Sequence, residues 1–155
     1  MILYLGTSSL VKLYLDETSS DIIRDWARVA EMLATCRIAF TEVMSALDLR
    51  FRNGDLSKKD RDLLLRQFTS DWAHFVKVDF DDLKAGKYIH KYGLTRFAAI
   101  QLSSAKLLKE EHQKLLPMFR TIYKDQSDIS LFFSSFDLAL CEAANAEGLR
   151  VLPLS

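Results

Sequence analysis

With 21 basic and 21 acidic side chains in 155 residues, the chain has no net charge, which excludes a global electrostatic footprint for nucleic acid and leaves only a local patch. Hydrophobic residues at 49% and charged residues at 27% describe one folded domain and exclude a disordered chain. No apolar run approaches the ~20 residues that a bilayer requires, and Cys36 and Cys141 are too few for a disulfide or zinc framework.

The chain opens on a continuous apolar run, Ile2–Leu5, of the kind that lies inside a parallel sheet. No basic stretch precedes it, so a secretory leader is not expected and a cytoplasmic location is. The run breaks at Gly6-Thr7-Ser8. A helix capped by Ser8 or Ser9 is expected from there through Tyr14, with Leu10, Val11, Leu13 and Tyr14 at helical spacing. A second helix fits Asp21–Glu31, its apolar face made of Ile22, Ile23, Trp26, Val29 and Ala30, and Met32–Cys36 is a weak strand. From Arg37 a helix runs to Arg52 and ends at Asn53-Gly54. Ser57 opens another, running to Phe75 with Leu63, Leu64, Phe68 and Trp72 inward. Phe75–Phe80 reads as a strand and Asp81–Tyr92 as a helix stopped by Gly93. The stretch Phe97–Tyr123 is helical, with Pro117 expected to kink or divide it. Ile129–Ser135 is the next strand, Phe136–Glu147 a helix ended by Gly148, and Leu149–Leu154 the last strand. This alternation predicts an α/β domain built on a central, mostly parallel sheet of about five strands.

Functional groups in such a sheet gather beyond the carboxyl ends of the strands. Gly6 and the segment Ser134-Ser135-Phe136-Asp137 lie where a strand hands over to a helix, Glu42 sits in the first turns of its helix, and Ala98 begins another. A fold that unites these positions makes a small polar pocket. Carboxylates paired there hold a hard divalent cation, Mg²⁺ favouring a few carboxylates plus several waters, and support metal-assisted phosphodiester hydrolysis. Each acid also has a plainer role: Glu42 opposes the helix dipole, and Asp137 caps the following helix.

Four segments in order, LYLGTSSLVKLY, RIAFTEVMSAL, GLTRFAAIQLSSA and FFSSFDLALCEAANAEGLRVLP, carry a resemblance. The chain resembles the PIN-domain family and, within it, the VapC-like toxins of toxin–antitoxin pairs. There a strand ends in Asp-Thr-Ser, a helix carries Glu before Val and Ala-Leu, and a third segment reads Leu-Arg-x-x-Asp-Ala-Ile-His-Leu-Ala-x-Ala. A later strand ends in Thr/Ser-Phe-Asp. The resemblance implies a single three-layer α/β/α domain over residues 1–155 and an endoribonuclease dependent on Mg²⁺ or Mn²⁺. It also implies RNA as substrate, an antitoxin partner and a homodimer.

Carried over by position, Glu42 and Asp137 match two of the family's three or four catalytic, metal-binding acids. Thr7, Ser8 and Ser135 match the hydroxyl residues beside them, and Gln101 stands where His is usual. Gly6 occupies the first acid position and Ala98 the third, neither offering a side-chain ligand. Loss of a metal ligand or its support commonly costs ~10–100-fold, so weak metal binding is expected. The resulting expectation is a catalytically impaired nuclease that retains binding toward RNA or a protein partner. The alternative is an active toxin that works through Glu42 and Asp137 alone. Asp16 and Glu17 are the nearest replacement acids, and they are expected to end a helix in solvent instead. The stretch Lys106–Ser130 is longer than in compact relatives, so a helical arm is expected over residues 106–128. Its Leu107, Leu108, Leu115, Leu116, Met118 and Phe119 either form a dimer surface or pack on the sheet.

Overall fold

The structure, a computed structural model, describes residues 1–122 and 130–154. The expected helix end at Tyr123, the expected strand start at Ile129, residues 123–128 of the expected arm and the side chain of Phe119 lie outside what it describes. The strands are β1 (Ile2–Leu5), β2 (Met32–Cys36), β3 (Val76–Val78), β4 (Leu131–Ser134) and β5 (Arg150–Val151). The helices are α1 (Thr7–Tyr14), α2 (Ser20–Val29), α3 (Ala39–Arg52), α4 (Lys58–Trp72), α5 (Asp82–Tyr92), α6 (Arg96–Ile122) and α7 (Leu138–Ala146). The strands form one sheet in the order β3-β2-β1-β4-β5, and every pairing is parallel.

β1 is the central strand and is buried along its whole length, which explains its unbroken apolar sequence. Ile2 and Tyr4 join one core with Ala34 and Phe133, covered by Ala85 and Tyr88 of α5, Ala99 and Leu102 of α6 and Leu140 of α7. Leu3 and Leu5 join the other, covered by Leu10 of α1, Ile23 of α2, Val43 and Leu47 of α3 and Phe68 of α4. The result is the expected three-layer α/β/α arrangement. From β1 the chain moves outward through β2 to β3, then returns to place β4 on β1's other side. That reversal creates a crevice between the carboxyl ends of β1 and β4, where a doubly wound sheet binds its ligands. No helix among the described residues is long and apolar enough to cross a membrane.

Four expectations change. The α1 N-cap is Gly6, not Ser8 or Ser9, because the Ser8 hydroxyl is engaged across the crevice and Ser9 is buried inside the helix. On α2, Ile23, Trp26, Ala27 and Ala30 form the inward stripe, while Ile22 and Val29 are exposed. Those two are seven residues apart and share a neighbouring line of the helix, about 100° from the buried one. Leu63 of α4 is also exposed, one residue off the line of Leu64, Phe68 and Trp72. Finally, α6 runs through Pro117 without division. The carbonyl that loses its partner belongs to Gln113, an exposed residue, so water can take the place of the missing N–H. The described part of the expected arm is the outer half of this one helix, tied to α5 by Lys84 Nζ and Glu110 Oε1 at 2.9 Å.

Candidate functional site

The crevice is stitched from hydroxyls. As β1 ends, Gly6 N–H donates to the Ser134 carbonyl (2.8 Å), and the Gly6 carbonyl accepts from Leu10 N–H (3.0 Å) to start α1. One residue into the helix, Ser8 Oγ lies 3.2 Å from Ser135 Oγ and accepts from Phe136 N–H at 2.9 Å. Ser135 Oγ accepts in turn from Asp137 N–H (3.1 Å), and Asp137 Oδ1 accepts from Leu140 N–H (3.1 Å). Asp137 is therefore the N-cap of α7, its plainer role realised. Asp137→Ala is expected to lower stability by about 1 kcal/mol while Asp137→Ser holds most of it, as urea denaturation in EDTA will read.

Gly6 has φ −64° and ψ 158°, a conformation open to any residue, so backbone strain does not require glycine here. Space is the tighter constraint. A Cβ at this position would meet the Ser134 carbonyl oxygen at 3.1 Å and Ser135 Cβ at 3.3 Å.

The second half of the site centres on Gln101, which is 2% exposed. Tyr4 OH donates to Gln101 Oε1 at 2.6 Å. Gln101 Nε2 donates to Thr7 Oγ1 (2.9 Å) and lies 3.3 Å from Glu42 Oε1, which also accepts from Thr7 Oγ1 at 2.9 Å. An ionised carboxylate only accepts, so the amide must turn its NH₂ toward Glu42, and that fixes its carbonyl on Tyr4. Nothing in the residue pattern singled out Tyr4. Its signal is a lone phenol inside the Ile-Leu-Tyr-Leu run, because a buried tyrosine hydroxyl needs a partner.

Burial pushes the Glu42 carboxyl above its ordinary range, and the bonds from Thr7 and Gln101 oppose that rise. An acid whose folded pKa is raised binds more protons folded than unfolded between the two values. Stability therefore falls as pH climbs from the ordinary carboxylate range through the folded value, and the loss persists at neutral pH. Glu42→Gln is expected to flatten that descent, with the native protein gaining relative to the variant only as pH is lowered. Thermal unfolding across pH 4–7 checks the sign.

Ala98, Asp16 and Glu17 supply no carboxylate to the crevice. Ala98 lies one helical turn before Gln101, and its methyl is buried in the core beneath α6. Asp16 is paired with Arg24 at 2.6 Å, and Glu17 is paired with Lys12 at 3.0 Å and with Arg50. Both follow the far end of the eight-residue α1, roughly 12 Å along the helix from Thr7, so neither enters the crevice.

No family model and no curated protein matches this sequence. The structure is similar to the crystal structure of FitAcB from Neisseria gonorrhoeae, with a TM-score of 0.58 and 15% identity over 99% of this chain and 98% of that one. The fold is PIN-like.

At that identity the likeness concerns the fold alone. Within the PIN-like scaffold, Thr7, Glu42 and Gln101 form one bonded group and Ser8, Ser135 and Asp137 another, joined through adjacent residues of α1. The metal implied by the family resemblance would find two carboxylates in this donor set, fewer than the three or four acids the family brings to it. Among the described residues, no group of three or more His, Cys, Asp or Glu side chains is gathered to hold an ion. Of the two carboxylates at the crevice, Glu42 accepts through Oε1 from Thr7 and Gln101, and Asp137 accepts through Oδ1 from the Leu140 N–H that it caps.

Proposed function

We propose that this chain is a PIN-domain protein of VapC-like toxin descent whose metal-dependent ribonuclease chemistry is impaired and which works by binding RNA or a protein partner. The observation that carries the reading is the state of Glu42, whose Oε1 is held by Thr7 and Gln101, both neutral donors. Two acid positions filled by Gly6 and Ala98 reduce cleavage by ~10–100-fold each. Neighbouring losses need not add, but two in one pocket are enough to take cleavage below detection.

A balanced charge of 21 basic and 21 acidic residues gives RNA little to attract it. Leu138, directly after Asp137, and Phe97, directly before Ala98, are both exposed. Apolar side chains next to a crevice suit a protein partner, and an antitoxin-like chain is the class the resemblance supplies.

The test is incubation of a labelled structured RNA with the native chain and Asp137→Asn in Mn²⁺ and in Mg²⁺. The expected result is no cleavage by the native chain above that of the variant. Cleavage by the native chain that disappears in Asp137→Asn would establish the active two-acid toxin instead.

A further inference from the structure

We propose that the Gln101 amide stands in for the cation in this crevice, acting as an uncharged lock that holds Glu42, Thr7 and Tyr4 together without a metal. The inference rests on the impaired-site reading above and adds the device that keeps the emptied site folded.

A half-buried carboxylate needs either a cation or hydrogen-bond donors, because burial alone disfavours its charge. Glu42 obtains donors only from Thr7 and Gln101, and no Lys or Arg forms an ion pair with it among the described residues. Both amide hydrogens and the amide carbonyl of Gln101 are engaged. Its nitrogen serves Thr7 and Glu42, and its carbonyl takes the Tyr4 hydroxyl. Through these bonds one side chain joins β1, α1, α3 and α6, the elements that surround the crevice.

The geometry also says what the lock excludes. Gln101 Nε2 lies 3.3 Å from Glu42 Oε1 and 2.9 Å from Thr7 Oγ1. Neighbouring oxygens on an octahedral Mg²⁺ are about 3 Å apart, given bonds of about 2.0–2.1 Å. Gln101→Glu keeps the shape of the side chain and puts an oxygen where this nitrogen is. Two carboxylates at that separation cannot both ionise without a cation or a shared proton. The substitution therefore exchanges an uncharged lock for one that requires a metal.

The experiment is thermal unfolding of the native chain, Gln101→Glu and Gln101→Leu at neutral pH, each in EDTA and in millimolar Mn²⁺. The native chain is expected to melt at the same temperature in both. Gln101→Glu is expected to fall by about 5 °C or more in EDTA and to recover most of that in Mn²⁺, while Gln101→Leu falls and ignores the ion. If Gln101→Glu does not fold in EDTA, the exchange variant Glu42→Gln with Gln101→Glu, which keeps one charge and one amide, is expected to melt within about 3 °C of the native chain. Failure of that exchange to fold overturns the lock. So does recovery of Gln101→Glu by acid but not by Mn²⁺, with the impaired-site reading left standing. A native chain that is itself stabilised by Mn²⁺ overturns both.

Discussion

Replacing Gly6 and Ala98 together by Asp is expected to produce Mn²⁺-dependent cleavage of structured RNA at least ~100-fold above the native chain. On the proposed reading, two missing ligands at ~10–100-fold each set the scale, and supplying them recovers it only if the side chains reach the crevice. At position 6 the backbone is ready, since φ −64° and ψ 158° suit aspartate as well as glycine. The Cβ contact of 3.1 Å with the Ser134 carbonyl requires the β4–α7 turn to move by a few tenths of an ångström. That turn is held to α1 by the Ser8 hydroxyl bonds, the Gly6 amide and the Lys12 ammonium over the Phe136 ring, contacts that tolerate a small shift. At position 98 the new carboxylate enters the first turn of α6, where the helix dipole favours negative charge. It also enters a buried position, which raises its cost until a cation arrives. The double variant should therefore be less stable than the native chain in EDTA and regain stability in Mn²⁺. A folded double variant that neither cuts RNA nor responds to Mn²⁺ would show that this crevice is not a disarmed nuclease site.

Gln101→Leu is expected to be the most destabilising single change at the crevice, by about 2–4 kcal/mol in urea denaturation. The side chain is 2% exposed, so its removal takes from the Tyr4 hydroxyl its 2.6 Å acceptor and from Thr7 and Glu42 a buried donor each. Each such orphan costs about 1–3 kcal/mol, whereas a bond removed from both sides at once costs far less. Tyr4→Phe alone should cost about 1 kcal/mol, since it strands only the Gln101 carbonyl. The pair Tyr4→Phe with Gln101→Leu should cost less than the sum of the two, with a coupling of at least about 0.5 kcal/mol. Additive costs would mean that the 2.6 Å bond between them contributes nothing to folding.

The sheet was legible in the sequence because its strands sit at the centre of the molecule. Ile2–Leu5 is apolar on both faces and could be little else, and the strand-to-helix handovers at Gly6 and at Ser135 carry the small and hydroxyl residues such turns need. Asp137 as a cap was also readable, being an acid placed one residue before an apolar helix. Contacts between distant parts of the chain were not. Tyr4 and Gln101 are 97 residues apart, and Ser8 and Ser135 are 127 apart, so only the folded sheet brings them together. The resemblance marks Ala98 as an acid position, but its burial against the core depends on how α6 lies on β2 and β3. On α2 the periodicity finds Ile23, Trp26 and Ala30 but cannot separate them from Ile22 and Val29, which are as apolar and yet exposed. Glu42 fits two roles in the sequence, and its bonds to Thr7 and Gln101, 35 and 59 residues away, are visible only in the fold.

The most direct test of the central claim, a PIN-like crevice that no longer holds a catalytic ion, is titration of Mn²⁺ into the native protein while the free-ion electron paramagnetic resonance signal is followed. The claim predicts a signal that rises as it does in buffer, into the millimolar range. Saturable binding that Glu42→Gln and Asp137→Asn each abolish would contradict it.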